Sequence, residues 1–151
     1  MTMRPLSSET IHASCVALSI AGTRHAVLLG GRSGAGKSDL ALRLIDRGAV
    51  LVSDDYTLLR RTDAGLIASA PATIVGRMEV RGIGIVTMET LAECRVRLLV
   101  ALDEPVDRMP EGSTSRIIAG IPVPTIRLPS LEPSAAIKIE LALREIGLKA
   151  P

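Results

Sequence analysis

A glycine-rich segment, Gly31 to Ser38, has the residue types that bind a nucleotide phosphate. Its sequence, Gly-Arg-Ser-Gly-Ala-Gly-Lys-Ser, fits the Walker A pattern G-x-x-x-x-G-K-S. Glycines lack a Cβ atom, so backbone N–H groups can approach phosphate oxygens closely. Lys37 can reach the β- and γ-phosphates, and Ser38 can place its hydroxyl on Mg²⁺. The predicted phosphate-binding residues are Gly31, Arg32, Ser33, Gly34, Ala35, Gly36, Lys37 and Ser38.

Two adjacent carboxylates, Asp54 and Asp55, supply the second requirement of phosphoryl transfer. That reaction needs carboxylates to hold Mg²⁺ and a group that orients or deprotonates the nucleophile. Neighbouring residues on an extended chain point to opposite sides, so one aspartate can face the metal and the other the acceptor hydroxyl. The alternative is a solvated Asp-Asp turn. The position of the pair, directly after an apolar strand that follows the Walker A helix, favours a functional role.

The segments around the glycine-rich loop have the pattern that this motif requires. Residues 25–30 form a short apolar run that predicts a buried strand. Residues 39–47 have helical periodicity, and Gly48 is placed to end that helix. A further apolar strand is predicted over 49–53. Because strand, loop and helix occur together, phosphate binding is favoured over the alternative of a glycine-rich turn with a chance lysine.

The remaining pattern predicts a mixed sheet with two hairpins and a C-terminal helix. The first hairpin joins a strand at 11–20 to the strand at 25–30, and the second joins 56–61 to 66–70. The other predicted elements are an extended stretch at 73–80, a glycine turn at 81–86, a short helix at 87–93, a strand at 95–102, a polar loop at 103–114, strands at 115–121 and 123–128 around Pro122, and a helix at 134–146 with Ser134 as N-cap and Gly147 as C′ residue. Together they predict one α/β P-loop domain, residues 1–151, with a mixed central β-sheet and flanking helices.

Composition excludes several functional classes. The chain has no Trp or Phe and one Tyr, which leaves no aromatic platforms for single-stranded nucleic acid, and a net charge of +2 gives no basis for a nucleic-acid partner. Cys15 and Cys94, with only two histidines, make no zinc pattern and are expected to be reduced thiols. No apolar run approaches the ~18 residues of a membrane span. The expected location is the cytoplasm.

Three segments, in this order and spacing, resemble the HPr kinase/phosphorylase family: Gly31–Ser38, Leu51–Asp55 and Met78–Ile85. Members of that family carry a G-x-S-G-x-G-K-S loop, an Asp-Asp pair after the next strand and an E-[IV]-R-G-[LI]-G-I signature. His12 is similar to the histidine that begins the first strand of their catalytic domain, and 121–124 to a stretch near their C-terminus. The resemblance covers nearly the whole chain and implies an HPr kinase/PEP carboxykinase-like fold.

The resemblance implies a kinase that uses ATP and Mg²⁺ to phosphorylate a serine of HPr, the small phosphocarrier of the phosphotransferase system. Many members also catalyse the reverse reaction, in which inorganic phosphate removes the seryl phosphate to give pyrophosphate. Carried over residue by residue, the implied catalytic residues are Asp54, His12 and Lys37. The implied ligands of Mg²⁺ are Ser38, Asp55 and Glu79. Asp54 would be the base toward the serine and the acid in reverse, and Arg81 would hold phosphate or the signature loop itself.

Three departures from the family pattern bear on phosphorylase activity, HPr docking and the usual hexamer. The chain begins almost at the catalytic strand, as do short versions in some alphaproteobacteria. Residues 131–135 contain no cation where the family often has a basic K-x-G-R-N stretch, and Arg32 replaces a common acidic residue. The last predicted helix is apolar on more than one side, which suggests either a sandwiched helix or a subunit contact in a homo-oligomer.

Two other functions remain open at the level of sequence. One is a P-loop kinase for a small molecule, which the lack of an arginine-rich lid segment disfavours. The other is a nucleotide-sensing module that binds ATP and regulates a partner with little catalysis, which the missing basic stretch supports. Substitution of Asp54 would separate a kinase from a sensor, because only a kinase needs that carboxylate for transfer.

Overall fold

The computed structural model describes residues 7–106, 108, 109, 112 and 114–151. The elements of that part are, in chain order, β1 (Ser8–Ile11), β2 (Ala13–Ile20), β3 (Thr23–Gly30), α1 (Lys37–Asp46), β4 (Val50–Ser53), β5 (Thr57–Thr62), β6 (Gly65–Ser69), β7 (Arg77–Val80), β8 (Gly84–Thr87), β9 (Cys94–Ala101), β10 (Thr114–Ile118), β11 (Ile121–Arg127) and α2 (Ala135–Ala142). A 3₁₀ turn, Ala72–Ile74, precedes β7, and a π turn, Leu143–Gly147, follows α2.

A curled sheet of nine strands forms the centre of the described part of the fold, and it is mixed, as the sequence predicted. Its order is β1-β5-β6-β9-β3-β2-β4, and β11 pairs with β9 while β10 pairs with β11. Strands β3 and β9 run parallel, and β2 is antiparallel to both of its neighbours, β3 and β4. Both predicted hairpins, β2–β3 and β5–β6, are present. Strands β7 and β8 form a separate two-stranded hairpin.

The core lies on both faces of the sheet because the central strands are buried on both sides. On one face, Leu40 and Leu44 of α1 and Ile139 of α2 pack against Val27 and Leu98. The opposite face carries a second cluster that includes the two cysteines. Both thiols are free and buried, and burial raises the pKa of each. Continuous aliphatic strands are what burial on two faces requires.

The helix predicted at 87–93 is wrong. After β8 the chain runs in an extended path, and Thr90 forms a parallel bridge with Leu51 of β4. The N–H group of Leu91 donates to the carbonyl of Leu51 at 3.0 Å. The backbone of this short segment therefore bonds to the free edge of β4, which competes with the local hydrogen bonds of a helix.

The prediction that Pro122 separates the last two strands is wrong, because Pro122 lies inside β11. The turn between β10 and β11 is formed by Ala119 and Gly120, which have φ angles of 48° and 82°. Positive φ at both central residues is the geometry of a tight hairpin turn. Pro122 is tolerated because the pairing of β11 with β9 begins only at Thr125, so the missing N–H group costs no ladder bond on that side.

The C-terminal helix is shorter than predicted. Ser134 occupies the N-cap position, but α2 ends at Ala142 and continues as the π turn. Gly147 is not a left-handed C′ residue. It is needed because a Cβ atom there would lie 2.6 Å from the carbonyl oxygen of Arg97. Ile137 and Leu141 are about half exposed, so the helix is not sandwiched within the chain.

In the described ranges, none of the helices has the length and apolar character needed to cross a membrane.

Candidate active site

The glycine-rich loop connects the buried end of β3 to the start of α1. Gly36 is the N-cap residue of α1 and has a φ of 90°. The buried Lys37 folds back over the loop, and its Nζ donates to the carbonyl oxygens of Gly31 at 2.7 Å and Arg32 at 2.9 Å. The first N–H groups of a helix have no intrahelical acceptor and carry partial positive charge. The loop therefore presents its lysine and the helix N-terminus together, which suits an anion.

A distant segment packs directly against this loop. A Cβ atom on Gly36 would lie 2.5 Å from Oγ of Ser130, which is buried. Arg43, on α1, donates to the carbonyl oxygens of Ser130 and, at 3.1 Å, of Glu132. The segment 130–132 thus covers the last turn of the loop and requires glycine there. Sequence reasoning missed this contact, because the two segments are about 90 residues apart.

Asp54 is the buried carboxylate of the pair. Its Oδ1 accepts hydrogen bonds from Oγ of Ser38 at 2.7 Å and of Ser14 at 2.9 Å. Its Oδ2 accepts from the backbone N–H of Glu79 at 3.1 Å. Donors from α1, β2 and β7 therefore fix this carboxylate against the hydroxyl that ends the glycine-rich motif.

Asp55 is the half-exposed carboxylate, with 48% of its side chain accessible. Its Oδ1 lies 2.8 Å from Nε2 of His12 and 3.5 Å from Nζ of Lys37. The ring of Tyr56 stacks on His12 with centroids 4.8 Å apart and planes 11° from parallel. A carboxylate that is open to solvent and close to the loop lysine can meet an incoming hydroxyl group.

The backbone between the two aspartates makes a strained turn. The N–H of Tyr56 donates to the carbonyl of Asp54 at 2.7 Å, and the central residue, Asp55, has a φ of 66°. This is the γ-turn of positive φ, which is rare and costs free energy. The N–H of Asp55 donates to Oγ of Ser14 at 3.0 Å, which helps to hold the turn.

Oxygen donors for a divalent cation are present but few. In the ranges given above, no group of three or more His, Cys, Asp or Glu side chains could hold a metal ion. The hydroxyl of Ser38 and the carboxylate of Asp54 are adjacent and are the hard oxygen donors that Mg²⁺ takes. Mg²⁺ commonly uses one or two protein ligands, completed by waters and substrate phosphates. The donor set therefore fits Mg²⁺ bound together with a nucleotide.

The structure brings His12, Lys37, Ser38, Asp54 and Asp55 together. It does not pair Ser38 with Asp55, the expected metal-side aspartate, but with Asp54. Glu79 joins the site through its backbone N–H, and its side chain is exposed. Arg81 lies beyond β7, in the turn to β8.

Besides Ser130, sequence reasoning missed three residues that touch this site: Ser14, Tyr56 and Asp103. Oδ2 of Asp103 accepts the N–H of Arg32 at 3.1 Å. Asp103 follows the apolar strand β9, so the signal that singled out Asp54 and Asp55 was available for it too. Ser14 lies inside an apolar strand, and nothing in its sequence context separates it from a structural serine.

Comparison with known proteins identifies the family. The model of the HPr Serine kinase C-terminal domain matches residues 5–150. A relative named HPr kinase/phosphorylase from Clostridium botulinum is 36% identical over 68% of this chain and 38% of its own length. One of the same name from Bordetella pertussis is 34% identical over 82% of this chain and 44% of its own length. The chain thus spans about two fifths of the length of these curated relatives.

A solved structure gives the same result for the fold. The structure of the Hpr(Ser) kinase/phosphatase from Coxiella burnetii superposes with a TM-score of 0.73 at 32% identity. The match covers 93% of this chain and 92% of that one.

Proposed function

The chain belongs to the family of the HPr serine kinase C-terminal domain, and we propose that it transfers the γ-phosphoryl group of ATP to a serine of HPr. The observation that carries the proposal is the position of Asp55, half exposed and in contact with both His12 and the loop Lys37. We propose the phosphotransferase system as its setting and the cytoplasm as its location.

In this proposal the glycine-rich loop and the start of α1 bind the phosphates of ATP. Lys37 would move from the loop carbonyls that it now contacts to the β- and γ-oxygens, where its charge offsets the charge of the transferred group. Residues Gly31, Arg32, Ser33, Gly34, Ala35, Gly36, Lys37 and Ser38 are the proposed nucleotide-binding residues. Segment 130–132, which packs against Gly36, would stabilise the conformation of the loop.

Asp55 is the proposed general base. The serine hydroxyl of the acceptor attacks the γ-phosphorus, its proton passes to Asp55, and the bond from the γ-phosphorus to the bridging oxygen breaks to release ADP. His12 holds Asp55 through the 2.8 Å contact. If the reaction also runs with inorganic phosphate and seryl-phosphorylated HPr, Asp55 returns the proton to the serine oxygen and pyrophosphate is the product.

Asp54 and Ser38 are the proposed holders of Mg²⁺, with Glu79 contributing through its contact with Asp54. When bound, Mg²⁺ would offset the charge on the β- and γ-oxygens. This assignment exchanges the roles that the family resemblance suggested for the two aspartates. The reason is that the buried Asp54 is the one beside Ser38, whereas Asp55 is open to an acceptor.

The test is to mix the chain with HPr, Mg²⁺ and radiolabelled ATP and to measure acid-stable label on HPr. Asp55→Asn should lower kcat by about a hundredfold or more while ATP still binds, because a positioned base contributes about 10²–10⁴-fold. Asp54→Asn should raise the Mg²⁺ concentration needed for half-maximal rate. Asp46→Asn, at the exposed far end of α1, is the matched control and should behave as wild type.

Loss of label on addition of inorganic phosphate would support the reverse reaction. If ATP binds and HPr stays unlabelled, the kinase proposal fails, and a nucleotide sensor or a kinase for another acceptor takes its place. If Asp54→Asn abolishes transfer at every Mg²⁺ concentration and Asp55→Asn does not, the exchanged roles are wrong.

A further inference from the structure

Ser14 is a fully buried hydroxyl that contacts both aspartates of the candidate site. Its Oγ donates to Oδ1 of Asp54 at 2.9 Å and accepts the N–H of Asp55 at 3.0 Å. The side chain has no exposure to solvent. One atom on β2 therefore fixes the carboxylate of one residue and the backbone of the next.

A β-bulge places β4 so that this double contact is possible. In the pairing of β2 with β4, Val16 faces Leu51 but Cys15 faces Ser53, so Val52 is an extra residue on β4. Bulges bend a strand, increase its twist and occur beside active sites, where they redirect side chains. The strand then ends in the γ-turn centred on Asp55.

The strain of that turn needs a compensating contact. A positive φ at a non-glycine residue persists only where the surrounding structure over-determines it. Apart from the turn's own bond from Tyr56 to Asp54, the contacts of Asp55 are the N–H bond to Ser14 and the carboxylate contacts with His12 and Lys37. Of the three, only the contact with Ser14 acts on the backbone of Asp55 itself; across the turn, Oγ of Ser53 also donates to the carbonyl of Tyr56.

We propose that Ser14 is a positioning residue that sets the different directions of Asp54 and Asp55. By holding the γ-turn, it keeps Asp54 against Ser38 and turns Asp55 toward His12 and Lys37. It touches neither nucleotide nor acceptor and acts only through the two aspartates. The expected loss of kcat rests on the proposed phosphoryl transfer. The expected change in the turn at Asp55 does not depend on it.

The test compares Ser14→Ala with Thr57→Val. Thr57 is also fully buried, and its hydroxyl donates to the carbonyl of Ala13 at 2.8 Å, so one variant removes a buried hydroxyl on β2 and the other a buried hydroxyl bonded to β2. Only the first removes a contact to the aspartates. Ser14→Thr keeps the hydroxyl and is the conservative variant.

Two kinds of measurement decide the outcome. The first is kinetic: Ser14→Ala should lower kcat by about tenfold or more, because small displacements of reacting groups are costly, with the KM for ATP within about twofold. The second needs no activity: Tyr56 is the single tyrosine of a chain without Trp or Phe, so the near-ultraviolet circular dichroism of the folded protein reports on the residue that closes the turn. ATP-binding stoichiometry measures the folded fraction of each variant.

We expect Ser14→Ala to change the Tyr56 signal and kcat, Thr57→Val to leave both unchanged, and Ser14→Thr to restore most of the kinetic loss. If Ser14→Ala and Thr57→Val change the signal and kcat equally, Ser14 is a packing residue and the proposal is overturned. If wild type fails to label HPr, the proposed function fails, and the Tyr56 signal of the two variants still decides whether Ser14 holds the turn.

Discussion

Replacement of Gly36 by alanine tests whether the glycine-rich loop is shaped by the segment that covers it. Gly36 has a φ of 90°, and a Cβ atom there would lie 2.5 Å from Oγ and 3.0 Å from Cβ of Ser130. Two separate costs follow, one from the backbone angle and one from the contact. Gly34 has nearly the same angle, a φ of 85°, and nothing within 4 Å of the corresponding position. Gly34→Ala therefore measures the cost of the backbone angle alone.

The free-energy cost of the backbone angle and that of the contact with Ser130 can be estimated separately. The left-handed region costs an alanine roughly 1–2 kcal/mol, and this applies to both variants. Arg43 donates to the backbone carbonyl of the buried Ser130, so the segment cannot simply move away, and the Cβ atom of Ser130 stays 3.0 Å from the added methyl group whichever way its hydroxyl turns. Overpacking of this kind costs about 1–3 kcal/mol. Gly36→Ala should therefore destabilise the chain by about 2–5 kcal/mol and Gly34→Ala by about 1–2 kcal/mol.

The assay is urea denaturation of the nucleotide-free protein, followed by far-ultraviolet circular dichroism, with ATP affinity measured in parallel. The double variant Gly36→Ala with Ser130→Gly removes the colliding atoms and should return the free energy of unfolding to about that of Gly34→Ala. ATP affinity should follow the same order, because the N–H groups that we propose to bind phosphate belong to this loop. Equal destabilisation by Gly34→Ala and Gly36→Ala would show that segment 130–132 moves away at no cost and does not shape the loop.

Two further predictions concern other parts of the fold. Gly147→Ala places a Cβ atom 2.6 Å from the carbonyl oxygen of Arg97. It should lower the melting temperature by several degrees, because overpacking costs about 1–3 kcal/mol. An unchanged melting temperature would mean that the π turn can move away from β9. A separate prediction concerns Glu104, where hydrogen bonds from Arg116 and Arg127 hold the pKa of the carboxyl below its usual range. The ionised carboxylate therefore stabilises the folded state. This stability is fully present above the ordinary glutamate pKa and is lost as the pH falls through the lowered pKa of the folded state. Glu104→Gln should therefore cost up to about 1 kcal/mol at pH 7, measured by urea denaturation, and the difference from wild type should shrink below roughly pH 4; a difference that stays constant with pH would exclude the charge as its cause.

The long strands could be predicted because their sequence meets one dominant requirement. The buried halves of β9 and β3, residues 98–101 and 26–29, lie at the centre of the sheet and carry only aliphatic side chains, so the apolar runs mark them directly. No comparable burial of aliphatic side chains determines the conformation of residues 87–93. Its backbone instead bonds to Leu51 on the edge strand β4. The sequence of residues 87–93 does not show that this edge lies beside them. The same holds for Gly147, whose requirement comes from the backbone of Arg97, fifty residues earlier.

The candidate site shows the limit of arguing from residue types alone. An Asp-Asp pair after a strand predicts that the two side chains point in opposite directions, and the structure does separate them. Which of them lies beside Ser38 depends on a bulge at Val52 and on a φ of 66° at Asp55. Both are irregularities of the backbone that alternation along a regular strand cannot foresee. The proposed assignment of base and metal ligand therefore follows from the turn, and Ser14, which accepts the N–H of Asp55 in that turn, belongs to a different strand.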